Sequence, residues 1–142
     1  MVLIRCQLNI DMKDVYVDKF SALINETSER TGLRFDPMIQ TYVSVLLADH
    51  VERTDFFSQP FGLRYMDLQT STNAKELGDN CLVLVGVFPG YRGMSSDYYV
   101  QIGSGSYGMA ASATGSMVFE TLARDFDSLR ELLNQLSPPT FL

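Results

Sequence analysis

The chain has 142 residues and a mass of 15.9 kDa, which is the size of one ordinary domain. Hydrophobic residues make up 46% and charged residues 20%, so the chain can build an apolar core without metals or disulfides, and extensive disorder is excluded. Lys and Arg number 11 against 17 Asp and Glu, and the net charge of −6 argues against nonspecific nucleic-acid binding and against docking on anionic lipid.

The first predicted helix covers residues 14–30, where apolar side chains recur at helical spacing. Asp14 is a suitable N-terminal cap, and Thr31-Gly32 is a suitable stop. Residues 2–10 before it are mostly apolar and are consistent either with a strand or with an arm, residues 1–12, that docks on the body of the protein.

The second predicted helix begins at Asp36-Pro37, where a capping residue precedes a proline in the first helical position. It runs to about Arg53 and carries a broad apolar face. The residues of this face are Ile39, Tyr42, Val43, Leu46, Leu47 and Val51. The segment 58–62 then interrupts the chain before a weaker apolar segment, residues 63–68.

The segment from Ala74 to Phe88 is ambiguous, because it is apolar on all sides after Leu77. Its valines favour a buried strand over residues 81–88. A helix that starts near Ala74 and ends at Pro89-Gly90 fits equally well. We predict a buried helix and keep the strand as the alternative.

Two more helices are predicted towards the C-terminus. Residues 98–113 follow the capping segment Ser95-Ser96-Asp97 and are rich in Gly, Ala and Ser. Each glycine costs about 1 kcal/mol of helix propensity relative to alanine, so this helix needs neighbours that pack tightly against it. The last helix, residues 117–136, has a single apolar stripe and ends at Pro138-Pro139. The stripe consists of Val118, Leu122, Phe126, Leu129, Leu133 and Leu136.

These patterns predict a mainly α protein, in which residues 1–142 form a single compact multi-helix domain and residues 137–142 a short tail. The alternative is an α+β fold with one or two short strands at residues 2–10 or 81–88.

The sequence Gly103-Ser104-Gly105-Ser106-Tyr107-Gly108 matches the GxGxxG pattern of dinucleotide-binding loops. In that site the glycines allow the backbone to approach a pyrophosphate at a helix N-terminus. The pattern also requires a second strand after its helix, with an acidic residue about twenty positions on. A strongly helical segment follows here instead. Close packing of helices is therefore the favoured reason for these glycines, and no cofactor is predicted.

The chain offers few metal ligands or nucleophiles. Cys6 and Cys81 are the only cysteines and His50 is the only histidine, so no metal site is predicted. Cys81 lies in an apolar run and is expected to be buried. His50 is expected near the end of the second helix and at the edge of its apolar face. A signal peptide and a membrane-spanning segment are not expected, which favours the cytoplasm.

Tyrosines are concentrated around the glycine-rich helix. Tyr99 and Tyr107 share a helical face with Gly103, whereas Tyr98 points elsewhere. Together with Asp79 and His50, Tyr99 and Tyr107 are the candidate lining of a small-molecule pocket near Gly103. Core packing of the tyrosines, and a cap or turn role for Asp79, are the favoured alternatives. No set of catalytic residues is recognisable.

The second half contains two recognisable segments, LGD-x-x-L-x-x-x-G-x-F-P, which begins at Leu77, and YY-x-x-x-G-x-x-x-Y, which begins at Tyr98. In these segments it resembles a group of uncharacterised bacterial proteins. A helix rich in Leu and Phe follows near the end, and the match covers residues 77–136. The resemblance implies a bacterial origin and a mostly helical second half, and it assigns no catalytic residue.

An apolar chain without a coherent catalytic set favours a non-catalytic cytoplasmic interaction or regulatory protein, with a protein partner or self-association as a homodimer. Exposed aromatic residues would anchor the contact. The candidate anchors are Phe56, Phe57, Phe61, Tyr65 and Tyr91. The alternative is a small-molecule-binding protein or small enzyme that uses the tyrosine-lined pocket near Gly103.

Overall fold

The structure is a computed structural model that describes residues 2–51, 71–88 and 95–136, with side chains described for 14–50, 74–88 and 95–136. All regular structure in these residues is helical, so the predicted mainly α fold is confirmed. The chain divides into two compact units, Met1–Thr54 and Asp55–Leu142, which are described separately. The candidate anchors Phe56, Phe57, Phe61, Tyr65 and Tyr91 and the predicted tail, residues 137–142, lie outside the described residues.

The N-terminal unit is a pair of helices, α1 (Val2–Thr31) and α2 (Pro37–Val51), packed against each other. Gly32 ends α1 in the left-handed conformation, with φ 80°, and its N–H donates to the carbonyl oxygen of Ser28 at 2.9 Å. Asp36 caps α2, because its carboxylate accepts a hydrogen bond from the N–H of Met38 at 3.0 Å. The predicted stop of α1 and start of α2 are therefore confirmed.

The predicted start of α1 at Asp14 is wrong, and so is the alternative of a strand at residues 2–10. A single helix begins at Val2 and passes through Asp14. No glycine or proline interrupts residues 2–31. A capping residue alone does not start a helix when the residues before it also allow the helical conformation.

The C-terminal unit contains α3 (Ser71–Val87), α4 (Ser96–Thr114), α5 (Met117–Arg124) and α6 (Phe126–Asn134). The segment that was ambiguous in sequence is α3, so the buried helix is confirmed and the strand at residues 81–88 is wrong. α3 packs mainly on α4, and it also contacts α6. α4 packs on α5 as well. α4 ends at Gly115, which adopts φ 72° and donates its N–H to the carbonyl oxygen of Ala111 at 2.7 Å.

The last predicted helix, residues 117–136, is in fact two helices that meet at Asp125. This residue lies outside the helical region of the backbone, with φ −99° and ψ 14°. Aspartate is a poor helix former, because its side chain competes for local hydrogen bonds. The apolar stripe survives the break: Leu122, Phe126 and Leu129 are all buried, and so are Leu133 and Leu136.

α6 is tied to the end of α3 by a side-chain amide. With its nitrogen facing α3, the Asn134 amide donates to the carbonyl oxygens of Val85 at 3.0 Å and Gly86 at 2.7 Å, while its oxygen accepts from Arg130 at 3.1 Å. These two carbonyl groups belong to the last turn of α3, where backbone acceptors lack partners within the helix. Asn134 therefore acts as a C-terminal cap for α3 supplied by another helix.

Candidate functional site

The structure brings together two of the predicted site residues, Asp79 and Tyr107. Asp79 lies in the middle of α3, and Tyr107 lies in the second half of α4. The Tyr107 hydroxyl donates to Oδ1 of Asp79 at 2.5 Å. Tyr107 is 0% exposed and Asp79 is 6% exposed. The contact is thus a charge-assisted hydrogen bond shielded from water, of the kind that is shorter and stronger than a bond between neutral groups.

Lys75 completes a polar cluster with these two residues. Its Nζ lies 2.8 Å from Oδ2 of Asp79, one helical turn away on α3. The side chain of Lys75 is 46% exposed, so it reaches from the surface to the buried carboxylate. The long aliphatic stem of lysine suits this position, because it can pack on apolar surface while the ammonium group meets the charge. The carboxylate therefore has a donor on each of its two oxygens.

The ring of Tyr107 is enclosed by apolar neighbours. It stacks on Phe119, with ring centroids 6.2 Å apart, and meets Phe126 at 5.9 Å with the planes tilted by 53°. On its α3 side it lies against Gly78, where an added Cβ would come within 2.8 Å of the ring. Glycine at position 78 is therefore what allows the phenol to reach Asp79.

Residues 103–108 lie inside α4 and do not form a loop, so the GxGxxG match does not build a dinucleotide site. At Gly103 a Cβ would lie 2.3 Å from Cζ of Phe126 and 2.9 Å from Cβ of Cys81. The absence of a side chain at this position lets α3 and the Phe126 ring approach the α4 backbone. Gly108 differs, since a Cβ there would meet nothing within 4 Å. Close packing thus explains Gly103 but not Gly108.

The other predicted site residues are not part of the cluster. Tyr99 is buried on the same helix, and its ring meets that of Tyr98 edge-on at 5.1 Å. Tyr98 is exposed, as the helical spacing predicts. His50 belongs to the N-terminal unit. Its Nδ1 lies 2.9 Å from the carbonyl oxygen of Leu46, which can only accept, so the ring N–H donates to a carbonyl in the last turns of α2.

The cap or turn role favoured for Asp79 is wrong, because the residue lies well inside α3. Sequence reasoning also missed Lys75, although a basic residue four positions before Asp79 was a readable signal for an ion pair. It missed the contribution of Phe126 as well. The apolar stripe predicts that Phe126 is buried. It does not indicate that the Phe126 ring packs against Gly103, because that contact joins two different helices.

One face of α4 is largely exposed and carries no charge beyond Asp97 in the first turn. We call it the α4 face, and it consists of Tyr98, Gln101, Gly105, Gly108, Met109 and Ser112, which recur at helical spacing. Tyr98 is 43% exposed and Met109 is 40% exposed. Exposed helix faces in globular proteins are usually polar and charged. The α4 face therefore combines accessible apolar side chains with an open glycine.

The described residues contain no group of three or more His, Cys, Asp and Glu side chains that could hold a metal ion. Within the same ranges, none of the helices has the length and apolar character needed to cross a membrane. No protein-family model matches the chain, and the search of curated proteins and of solved structures found no significant similarity.

Proposed function

We propose that this chain is a non-catalytic interaction or regulatory protein that associates with a second copy of itself through the α4 face. The observation that carries this proposal is Gly108. This glycine weakens the helix by about 1 kcal/mol relative to alanine. Among the residues that the structure describes, no atom would lie within 4 Å of a Cβ at this position. If a second copy packs closely against α4 at this position, the contact requires a residue without a side chain.

The charge of the chain supports self-association at this face. With a net charge of −6, two copies repel each other where acidic surfaces meet. Within the α4 face the Tyr98 phenol is the one ionisable group, and Asp97 borders the face at its first turn. Two copies can therefore approach along the part from Gln101 to Ser112 without placing like charges together. Exposed Tyr and Met side chains are among those enriched at protein interfaces.

A tyrosine-lined pocket near Gly103 is the weaker candidate. The ring of Phe126 lies directly beside Gly103, and the Tyr107 hydroxyl is engaged with Asp79 rather than directed at an open space. The interaction protein proposed here uses no cofactor, works in the cytoplasm of a bacterium and has no nucleic-acid or membrane partner. The acidic composition argues against a nucleic-acid or anionic-lipid partner, and the resemblance of residues 77–136 implies the bacterial origin.

Sedimentation velocity across the micromolar range tests the proposal. We expect the unmodified protein to form a dimer and Met109→Glu to be monomeric, because the substitution places two like charges in the contact. Met38→Glu is the matched control, since Met38 is an exposed methionine on α2. This control should sediment like the unmodified protein. A monomer throughout the range, or a Met109→Glu variant that still dimerises, would contradict the proposal.

A further inference from the structure

α3 is buried on all sides through its middle. Every residue from Leu77 to Gly86 is buried, including its two glycines. The hydrophobic effect orients an ordinary surface helix because one stripe prefers the core and the other prefers water. A helix that is apolar in every direction lacks this preference. Turning it or sliding it exchanges one apolar contact for another, and cores of this kind lose their unique packing before they lose stability.

Two buried polar side chains, Asp79 and Asn80, break this uniformity, and the contacts of Asp79 join α3 to α4. The Asp79 carboxylate accepts the Tyr107 hydroxyl of α4 at 2.5 Å and the Lys75 ammonium at 2.8 Å. Successive side chains on a helix point about 100° apart. A shift of α3 by one position would therefore turn the Asp79 carboxylate away from the Tyr107 phenol. The hydrogen bond between these two buried groups would then be lost. Such unpaired buried groups are costly.

We propose that the Asp79–Tyr107 hydrogen bond, with Lys75 neutralising the carboxylate, is a registration device. It selects one rotation and one register of α3 against α4 and adds little to stability in itself. Buried polar groups fix register in this way in some coiled coils, where they cost stability and exclude alternatives. This inference does not depend on the proposed self-association, because both residues lie within one unit of one chain.

Close-packed glycines are the competing explanation. Gly78 admits the Tyr107 ring, and Gly86 lies so near Leu133 that a Cβ would come within 2.5 Å of its Cδ1. If the close contacts at Gly78 and Gly86 alone set the register of α3, replacing Asp79 and Tyr107 by an apolar pair should leave the protein with a single packing arrangement. The two explanations therefore differ in what they expect of one double variant.

The test compares Asp79→Leu/Tyr107→Phe with the unmodified protein. Leucine has the branched shape of aspartate, and phenylalanine keeps the ring of tyrosine. We expect unchanged helical circular dichroism and a urea midpoint equal to or above that of the unmodified protein. We also expect several-fold greater binding of a hydrophobic dye, and broadened or multiplied amide resonances. These signs indicate fluctuating packing with retained secondary structure.

A single sharp set of amide resonances in the double variant would show that the Asp79–Tyr107 pair does not fix the register. The close contacts at Gly78 and Gly86 would then be the favoured explanation. Failure to fold, or a urea midpoint below those of both single variants, would also overturn the registration role, because the pair would then act through stability.

The more conservative Tyr107→Phe variant gives a second, independent reading. Loss of the hydroxyl should multiply or broaden the resonances of α3 and α4 specifically. Tyr98→Phe, which removes an exposed hydroxyl from the same helix, should keep one set of resonances. Identical spectra for the two variants would count against the registration role.

Discussion

Gly103→Ala isolates the close approach between α3, α4 and Phe126 with the smallest possible change. The new Cβ would lie 2.3 Å from Cζ and 2.6 Å from Cε2 of Phe126, and 2.9 Å from Cβ of Cys81. Carbon atoms in contact prefer separations of about 3.5–4.0 Å. The ring must therefore move by more than about 1 Å, and it is fully buried against Tyr107.

Two opposing contributions decide the sign of the effect. Alanine improves helix propensity by about 1 kcal/mol over glycine. Adding a methyl group to a filled core costs about 1–3 kcal/mol, and the upper end applies because the nearest atoms are a buried ring and a Cβ fixed to the backbone. The net expectation is that Gly103→Ala lowers the free energy of unfolding by about 2 kcal/mol.

Urea unfolding followed by far-ultraviolet circular dichroism measures this difference. Gly108→Ala is the matched control when both variants are unfolded at a protein concentration at which the chain is monomeric, because it is the same substitution in the same helix with open space around the new Cβ. It should raise the free energy of unfolding by about 0.5–1 kcal/mol. Adding Phe126→Leu to Gly103→Ala should recover part of the loss, since the two sites are in contact. If both alanine variants stabilise the protein equally, the close-packing explanation of Gly103 is refuted.

Three further expectations concern single hydrogen bonds and use the same unfolding assay. Tyr107→Phe should lower the free energy of unfolding by about 1.5–3 kcal/mol, because it removes a donor to the charged acceptor Asp79; an unchanged midpoint would contradict this. Asn134→Ala should cost about 1–2 kcal/mol by removing the cap on the last carbonyl groups of α3, and a neutral result would show that these carbonyls find other donors. Ser28→Ala should raise stability by about 1 kcal/mol, because Ser28 is only 5% exposed and its buried hydroxyl has no hydrogen-bond partner among the described residues. Ser44→Ala is its control and should lower stability, since the Ser44 hydroxyl donates to the carbonyl oxygen of Gln40 at 2.8 Å.

Helix ends that depend on local chemistry could be predicted from the sequence. Asp36-Pro37 starts α2, and Gly32 ends α1 by adopting positive φ. These signals act between residues a few positions apart, so a single segment contains all the information. The break at Asp125 was missed because the apolar stripe continues across it with helical spacing, and periodicity does not register a change in one residue's ψ angle.

The polar cluster could be predicted only in part. Helical spacing places Tyr99, Gly103 and Tyr107 on one face, and this is confirmed by their burial. The partner of Tyr107 lies 28 positions away on another helix. Because α3 is buried on all sides from Leu77 to Gly86, no apolar stripe indicates which of its residues faces α4. Long-range pairing of this kind depends on the rotation of two helices about their axes, which local patterns do not contain.

The contrast among the glycines of α3 and α4 separates internal packing from external contact. Gly78, Gly86 and Gly103 each face a side chain so close that a Cβ would lie within 3 Å of it. Each of these glycines therefore offsets its cost in helix propensity by allowing contacts inside the unit. Gly108 carries the same cost but gains no such contact. The proposed contact with a second copy would explain a glycine that weakens its helix while no described residue packs against it. The proposed self-association therefore rests on Gly108 and not on the GxGxxG pattern that contains it.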